Sequence, residues 1–181
     1  MRTMSRRRVG AVALATAIVT PLGATAATST AAAAPSCGIY WGSLAKTSSS
    51  QTRAAVTGVR SGQHACYDRL VFDLGRGSGK VGYNVRYVST VRSPSSGLPV
   101  PVSGGARIQI TVTAPATKRI PASGTLAYSG WRTFRQLKWV TSFEGYTDFG
   151  LGVRARLPMR AFVLSGPDGG QRLVVDVAHR W

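Results

Sequence analysis

The fold of this chain is decided by the stretch Gly58-Val59-Arg60-Ser61-Gly62-Gln63-His64-Ala65-Cys66-Tyr67-Asp68-Arg69-Leu70-Val71-Phe72-Asp73-Leu74. In its last nine residues, side chains of different polarity alternate in a way that is typical of a half-buried β-strand. We expect the even-numbered side chains to face the core and the odd-numbered ones to face away from it. The C-terminal segment Arg172-Leu173-Val174-Val175-Asp176-Val177 echoes residues 69–74, but six residues are too few to establish an internal duplication.

Outward from this stretch, the chain predicts further short strands and no amphipathic helix. The strand patterns cover residues 54–60, 82–88, 106–114, 136–143, 161–164 and 172–178, with Gly-, Pro- and Ser-rich turns between them. Residues 143–156 contain three glycines and predict a bend or bulge, and 115–132 is expected to be a long loop. About eight short strands indicate an all-β fold, either a β-sandwich of two packed sheets or a small barrel.

The N-terminal residues 1–34 predict a signal peptide. A basic segment is followed by an apolar one over 9–22 and then by an alanine-rich stretch, with cleavage expected between 26 and 34. A transmembrane anchor is the alternative, but the apolar run is interrupted and shorter than the ~20 residues that a spanning helix needs. We therefore expect a secreted protein, either free or associated with the cell wall, with a single domain over 35–181 and no membrane span.

The charge of the chain favours anionic partners. The net charge is +17, and four of these charges (Arg2, Arg6, Arg7 and Arg8) lie in the predicted signal peptide, which leaves +13 on residues 35–181. Such an excess exceeds what solubility requires and attracts nucleic acid, acidic lipid or anionic wall polymers. Export argues against nucleic acid as the native partner.

The two cysteines, Cys37 and Cys66, predict a disulfide, because an even count in an exported chain favours pairing. A catalytic or metal-binding thiol is the alternative. His64, Cys66 and Asp68 share one face of a strand, but a disulfide leaves two ligands, too few for a good metal site. We expect no metal and no cofactor.

Other stretches offer weak signals for catalysis. The glycine-rich run over 75–80 lacks the first glycine and the Ser/Thr of a phosphate-binding loop, so a hairpin turn is expected. Asp73 and Asp176 lie next to arginines and are expected to form salt bridges. Asp68 falls on the apolar face of its strand, where an unpaired charge is costly, and is expected to be hydrogen-bonded or paired with an arginine, Arg154 being the candidate.

Several motifs, in order, resemble the AMIN-like domain of secreted actinobacterial proteins. They are Cys37…Trp41-Gly42-Ser43-Leu44, Gly58 to Arg69, Gly82-Tyr83…Val85-Arg86-Tyr87, Phe143-Glu144-Gly145, Gly150-Leu151-Gly152-Val153-Arg154 and Val174-Val175-Asp176-Val177-Ala178-His179. The resemblance implies a β-sandwich akin to the AMIN domains of wall amidases, whose proposed ligand is peptidoglycan. It transfers no catalytic motif to any residue.

These observations predict a non-catalytic module that binds an anionic cell-envelope polymer, peptidoglycan or an attached acidic glycan, through arginines and aromatic side chains. The candidate ligand-binding residues are Arg60, His64, Arg86, Tyr87, Glu144 and Arg154. Two alternatives stay open: an interaction protein for another secreted or wall-anchored protein, and an unrecognised hydrolase, which needs a cleft with two carboxylates at catalytic separation.

Overall fold

Antiparallel β-strands make up most of the computed structural model, which describes residues 37–181. The predicted signal peptide over 1–34 lies outside the described residues. The strands are β1 (Lys46–Ser48), β2 (Val56–Gln63), β3 (Tyr67–Leu74), β4 (Gly82–Val88), β5 (Val91–Arg92), β6 (Pro99–Val100), β7 (Ala106–Thr113), β8 (Thr125–Ala127), β9 (Phe134–Phe143), β10 (Tyr146–Val153), β11 (Met159–Ser165) and β12 (Gln171–Ala178). A short 3₁₀ turn covers Pro167–Gly169.

The strands form three sheets. A six-stranded sheet has the order β1-β4-β7-β10-β9-β8, a four-stranded sheet has the order β11-β12-β3-β2, and β5 and β6 form a two-stranded ribbon. The predicted all-β class with packed antiparallel sheets is confirmed. The count of about eight strands was too low. Strands β1, β5, β6 and β8 have two or three residues each, too few to show an alternating pattern, and β10 was expected to be a bend because of its glycines.

The core lies between the six-stranded and the four-stranded sheets. On β3, the predicted inward residues Asp68, Leu70, Phe72 and Leu74 are all buried, as the period of two requires. The ring of Phe72 packs against that of Phe149 on β10, with 4.6 Å between centroids. This contact joins the two sheets directly.

The echo between residues 69–74 and 172–177 has a structural reason. Strands β3 and β12 are antiparallel neighbours, and their register places Arg69 opposite Asp176 and Asp73 opposite Arg172. A strand that begins with Arg and ends with Asp matches an antiparallel strand of the same pattern, because each charge then meets its opposite. Cross-strand charge pairing therefore accounts for the repeated pattern.

The glycines of β10 allow another element to approach the outer face of the six-stranded sheet. A Cβ on Gly150 would lie 2.7 Å from Val102 Cγ2, and one on Gly152 would lie 1.8 Å from the carbonyl oxygen of Ser103. The predicted bulges occur as register shifts at 148/149 and 152/153. The segment that carries β5 and β6 can therefore pack closely on this face.

The prediction of a long loop over 115–132 was wrong at residues 125–127. Strand β8 pairs there with β9, with Leu126 opposite Leu137, and the side chains of Ile120 and Tyr128 are buried. A three-residue strand is too short to be recognised by its pattern.

Across residues 37–181, no helix has the length and apolar character needed to cross a membrane.

Candidate functional site

The predicted disulfide is formed and closes one end of the sandwich. Cys37 and Cys66 are bonded, with 5.7 Å between their Cα atoms. The bond holds the segment before β1 against the start of β3, where Trp41 contacts Tyr67 edge to face at 5.5 Å. The amide of Met159 donates to the carbonyl of Gly42 (2.8 Å), which fixes the same segment to β11.

A buried carboxylate organises this end. Asp68 has no exposed surface. Its Oδ2 accepts hydrogen bonds from the backbone amides of Thr133 (2.8 Å) and Phe134 (2.9 Å), and its Oδ1 lies 2.9 Å from His179 Nε2. The three contacts connect β3, the entry to β9 and the C-terminal segment.

The expected pair of Asp68 with Arg154 is not formed within residues 37–181. Arg154 Nη2 donates instead to the backbone carbonyl of His179. The reason is that the inward-facing carboxylate is already satisfied by two backbone amides and an imidazole, whereas Arg154 is exposed. The expectation that Asp68 is hydrogen-bonded was right, but the partner was wrong.

Exposed arginines lie at this end of the sandwich, and two of them, Arg132 and Arg156, donate to neutral groups. Arg132 Nη1 donates to the carbonyl of Ala65 (3.3 Å), and Arg156 donates to the hydroxyl (3.1 Å) and the carbonyl (3.3 Å) of Ser43. Arg180 is also exposed. A hydrogen bond to a carbonyl or a hydroxyl orients a guanidinium without neutralising its charge, so the positive potential of this end is retained.

Two strongly exposed aromatic side chains lie among these arginines. Tyr40 is 94% exposed and Trp181 is 72% exposed. Trp181 Nε1 donates to the carbonyl of Arg156 (3.1 Å), and both rings line a cavity of ≈ 440 Å³ next to the disulfide. We define the basic–aromatic end as Tyr40, Arg132, Arg154, Arg156, Arg180 and Trp181.

A layer of arginine and aromatic side chains continues from this end across the outer face of the four-stranded sheet. The buried carboxylate of Asp176 accepts from Arg69 Nε (2.7 Å) and Arg160 Nε (2.8 Å). The hydrogen bond to Asp176 raises the pKa of Arg69. Arg160 Cζ lies 4.2 Å from the ring centroid of Trp41, within the range of a cation–π contact. Two guanidiniums share one carboxylate, so the layer stays positive.

Two of the predicted ligand-binding residues lie at or beside the basic–aromatic end. Arg154 belongs to it, and the ring of His64 stacks on Tyr67 at 4.6 Å. Arg60 lies farther along the four-stranded sheet, where its Nε donates to Asp73 (2.9 Å). The salt bridges expected for Asp73 and Asp176 are therefore both present.

The other three predicted residues lie elsewhere. Tyr87 is hydrogen-bonded within the fold. Its hydroxyl donates to the carbonyl of Leu157 (2.9 Å) and accepts from the amide of the same residue (2.9 Å). Burial raises its pKa. Arg86 and Glu144 line a separate cleft on the outer face of the six-stranded sheet. The structure does not bring the six predicted residues into one site.

The sequence prediction missed Arg132, Arg180 and Trp181. Arg132 is the last residue of the stretch that the sequence predicts to be a loop, and the other two residues are the last two of the sequence. A basic residue beside an exposed aromatic one, as in Arg180-Trp181, was the available signal. No three His, Cys, Asp or Glu side chains within residues 37–181 lie close enough together to hold a metal ion.

The chain matches the model of a known domain family. The family model of the AMIN-like domain matches residues 54–179. No curated protein and no solved structure matches the chain. The matched region contains β2 to β12 and the Asp68–His179 contact, and it covers more than half of the 181 residues. The chain therefore belongs to the AMIN-like domain family.

Proposed function

We propose that this protein is a secreted, non-catalytic module that binds an anionic cell-envelope polymer through its basic–aromatic end. Membership of the AMIN-like family suggests a non-catalytic module associated with the cell wall. The observation that carries the finer proposal is the convergence of four exposed arginines and two exposed aromatic rings at one end of the sandwich.

The distribution of acidic residues supports an anionic ligand. Asp68 is buried at the basic–aromatic end and is satisfied there. Asp73 lies 2.9 Å from Arg60 and 3.7 Å from Arg172, so this carboxylate is outnumbered by guanidiniums, as is Asp176. The positive charge therefore needs a counterion from outside the protein.

The arrangement suits recognition of carboxylate or phosphate groups along a polymer. A guanidinium offers a planar fork of donors that matches both groups. Arg132, Arg154 and Arg156 are held by neutral partners, so an arriving anion does not compete there with an internal carboxylate. The faces of Tyr40 and Trp181 can stack on the apolar face of a sugar ring. Charge supplies attraction, and stacking supplies selectivity.

The proposal is tested by binding of the purified domain to insoluble peptidoglycan, with and without its attached anionic polymers, across a salt series. The charge variant is Arg132→Gln/Arg180→Gln. At an acidic membrane one Lys or Arg contributes about 1 kcal/mol, so two should change the affinity about 30-fold at low salt. We expect this difference to shrink as salt rises, because exposed charges are screened.

A matched control removes the same charge elsewhere. Lys118 and Arg119 are exposed in the 115–132 segment, and Lys118→Gln/Arg119→Gln should weaken binding much less. Tyr40→Ala/Trp181→Ala should weaken whatever binding survives at high salt. Equal losses from both charge variants would refute a defined site at this end. No binding under any condition would refute the polymer ligand and favour the alternative, an interaction with another secreted or wall-anchored protein.

A further inference from the structure

A second cleft lies on the outer face of the six-stranded sheet, away from the disulfide. Its volume is ≈ 720 Å³. One wall comes from the segment around β5, and another from the turn between β9 and β10. The floor consists of side chains on the central strands β7 and β10, among them Gln109, Thr111 and Asp148. Strands therefore form the floor of the cleft, and two hairpins form its walls.

The floor and one wall are held in place by hydrogen bonds. Gln109 accepts from the amide of Arg92 (3.3 Å) and donates to its carbonyl (3.0 Å), which fastens the β5 segment to β7. Thr111 Oγ1 donates to Asp148 Oδ1 (2.6 Å). Asp148 is 1% exposed. Burial raises its pKa, although hydrogen bonds from Thr111 and Gln109 and the charge of Arg86 oppose the shift. A positive group brought beside this carboxyl would favour its ionised form.

The rim carries two opposite charges that have no ion-pair partner within residues 37–181. Arg86 projects from β4 and is exposed. Glu144 is exposed at the tip of the β9–β10 turn, with φ +50°, a conformation that fixes its direction at some cost for a non-glycine residue. Phe143 (50% exposed) and Tyr146 (43% exposed) flank this turn. The cleft thus combines an exposed guanidinium, an exposed carboxylate, a buried carboxyl and two aromatic rings.

The charge of this cleft differs from that of the basic–aromatic end. The cleft carries an exposed carboxylate, Glu144, beside Arg86 and Arg92, whereas the acid at the basic–aromatic end, Asp68, is buried and already satisfied. A polyanion would be repelled by the exposed carboxylate of Glu144. A ligand that carries both an amino group and a carboxylate would satisfy both signs of charge.

We propose that this cleft binds a zwitterionic ligand, an amino acid or a short peptide whose two termini are both free. The carboxylate of the ligand pairs with Arg86, its ammonium group pairs with Glu144 above Asp148, and its apolar part packs against Tyr146. The site is distinct from the one in the proposed function and does not depend on it.

The test uses alanyl-alanine as the probe, with three comparison ligands: N-acetyl-alanyl-alanine, alanyl-alanine amide and free alanine. Binding is followed by NMR titration of backbone amides, with calorimetry for the dissociation constant. We expect saturable shifts around Gly145 and Gln109 with alanyl-alanine. Loss of one charge-assisted hydrogen bond should weaken each blocked dipeptide about tenfold or more. Alanine binding as tightly as alanyl-alanine would assign the site to free amino acids, and weaker binding of alanine would assign it to peptides.

Two variants test which residue of the cleft pairs with each charged group of the ligand. Glu144→Gln should bind alanyl-alanine about as weakly as the wild type binds the N-acetylated form, and it should no longer distinguish the two. Arg86→Gln should behave in the same way toward the amide. The matched control for Glu144 is Asp168→Asn, since Asp168 is also an exposed acid at positive φ (+52°) in a turn. Lys118→Gln is the control for Arg86.

Three results would overturn the proposal: no saturable shifts with alanyl-alanine, equal affinity for the free and blocked dipeptides, or unchanged discrimination in Glu144→Gln. Spectra and unfolding midpoints of each variant establish that it is folded. Both cleft variants should keep their affinity for the envelope polymer, because that ligand binds at the other site. Failure of the cleft proposal is therefore distinguishable from failure of the proposed function.

Discussion

Replacing Asp68 by alanine should destabilise the domain more than most single substitutions. The change removes the acceptor of two backbone amides, those of Thr133 and Phe134, whose residues have no exposed surface. A buried donor without a partner costs about 1–3 kcal/mol, so the two together cost about 4 kcal/mol. Loss of the contact with His179 adds to this. The expected total is a large fraction of the 5–15 kcal/mol that is typical of folded domains.

Asp68→Asn is the informative control. The amide side chain keeps an oxygen that can accept from both backbone amides, and it loses only the strength that the negative charge adds. We expect a loss of about 1 kcal/mol. His179→Ala should lie between the two, because it breaks the contact at Oδ1 and leaves the Oδ2 bonds intact.

The assay is urea unfolding followed by tryptophan fluorescence, with thermal unfolding as a second measurement. For a domain of this size, 1 kcal/mol corresponds to roughly 2–4 °C, so Asp68→Ala should lower the melting temperature by about 10 °C. If Asp68→Asn were as destabilising as Asp68→Ala, the two amide bonds would not be the source of the stability. A loss below about 1 kcal/mol for alanine would also refute the reasoning.

Three further predictions follow from other parts of the molecule. Replacing Cys37 and Cys66 by serine should cost about 3 kcal/mol, because a loop with a sequence separation of 29 is no longer closed in the unfolded chain; unchanged urea unfolding without reductant would contradict this. Asp148 has a raised pKa in the fold, so wild-type stability should fall as pH rises from its ordinary value of 3.8 to the raised value. Asp148→Asn should remove this fall and be the more stable protein at neutral pH, whereas identical pH profiles of unfolding would argue against it. Gly152→Ala should cost about 3 kcal/mol, since its Cβ would lie 1.8 Å from the carbonyl oxygen of Ser103; an unchanged melting temperature would be incompatible with that approach.

Three of the strands that the sequence predicted show alternation over seven or more residues. In β3, β4 and β7 the period of two is a local property of the backbone, so it shows in the chain before any partner is known. The pairing of Asp73 and Asp176 with arginines was predictable for a similar reason. The echo places Arg and Asp at matching positions of two strands, and β3 and β12 are antiparallel neighbours.

The disulfide was also predictable, because the expectation rests on an even number of cysteines and on predicted export to an oxidising compartment, and not on geometry. The partner of Asp68 was not. His179 is 111 residues away, and its position relative to the carboxylate depends on the register of β12 against β3 and on the path of the chain after Ala178. The motif that contains Arg154 pointed to the right end of the sandwich but to the wrong side chain.

The all-β class, the inward face of β3, the disulfide and the excess of positive charge follow from the sequence alone, because each is a sum or a local pattern along the chain. The place where that charge is concentrated follows from the tertiary structure. Arg132, Arg154 and Arg180 meet because three separate segments end beside the Cys37–Cys66 bond. Convergence of distant segments depends on strand register and loop path, which no local pattern contains.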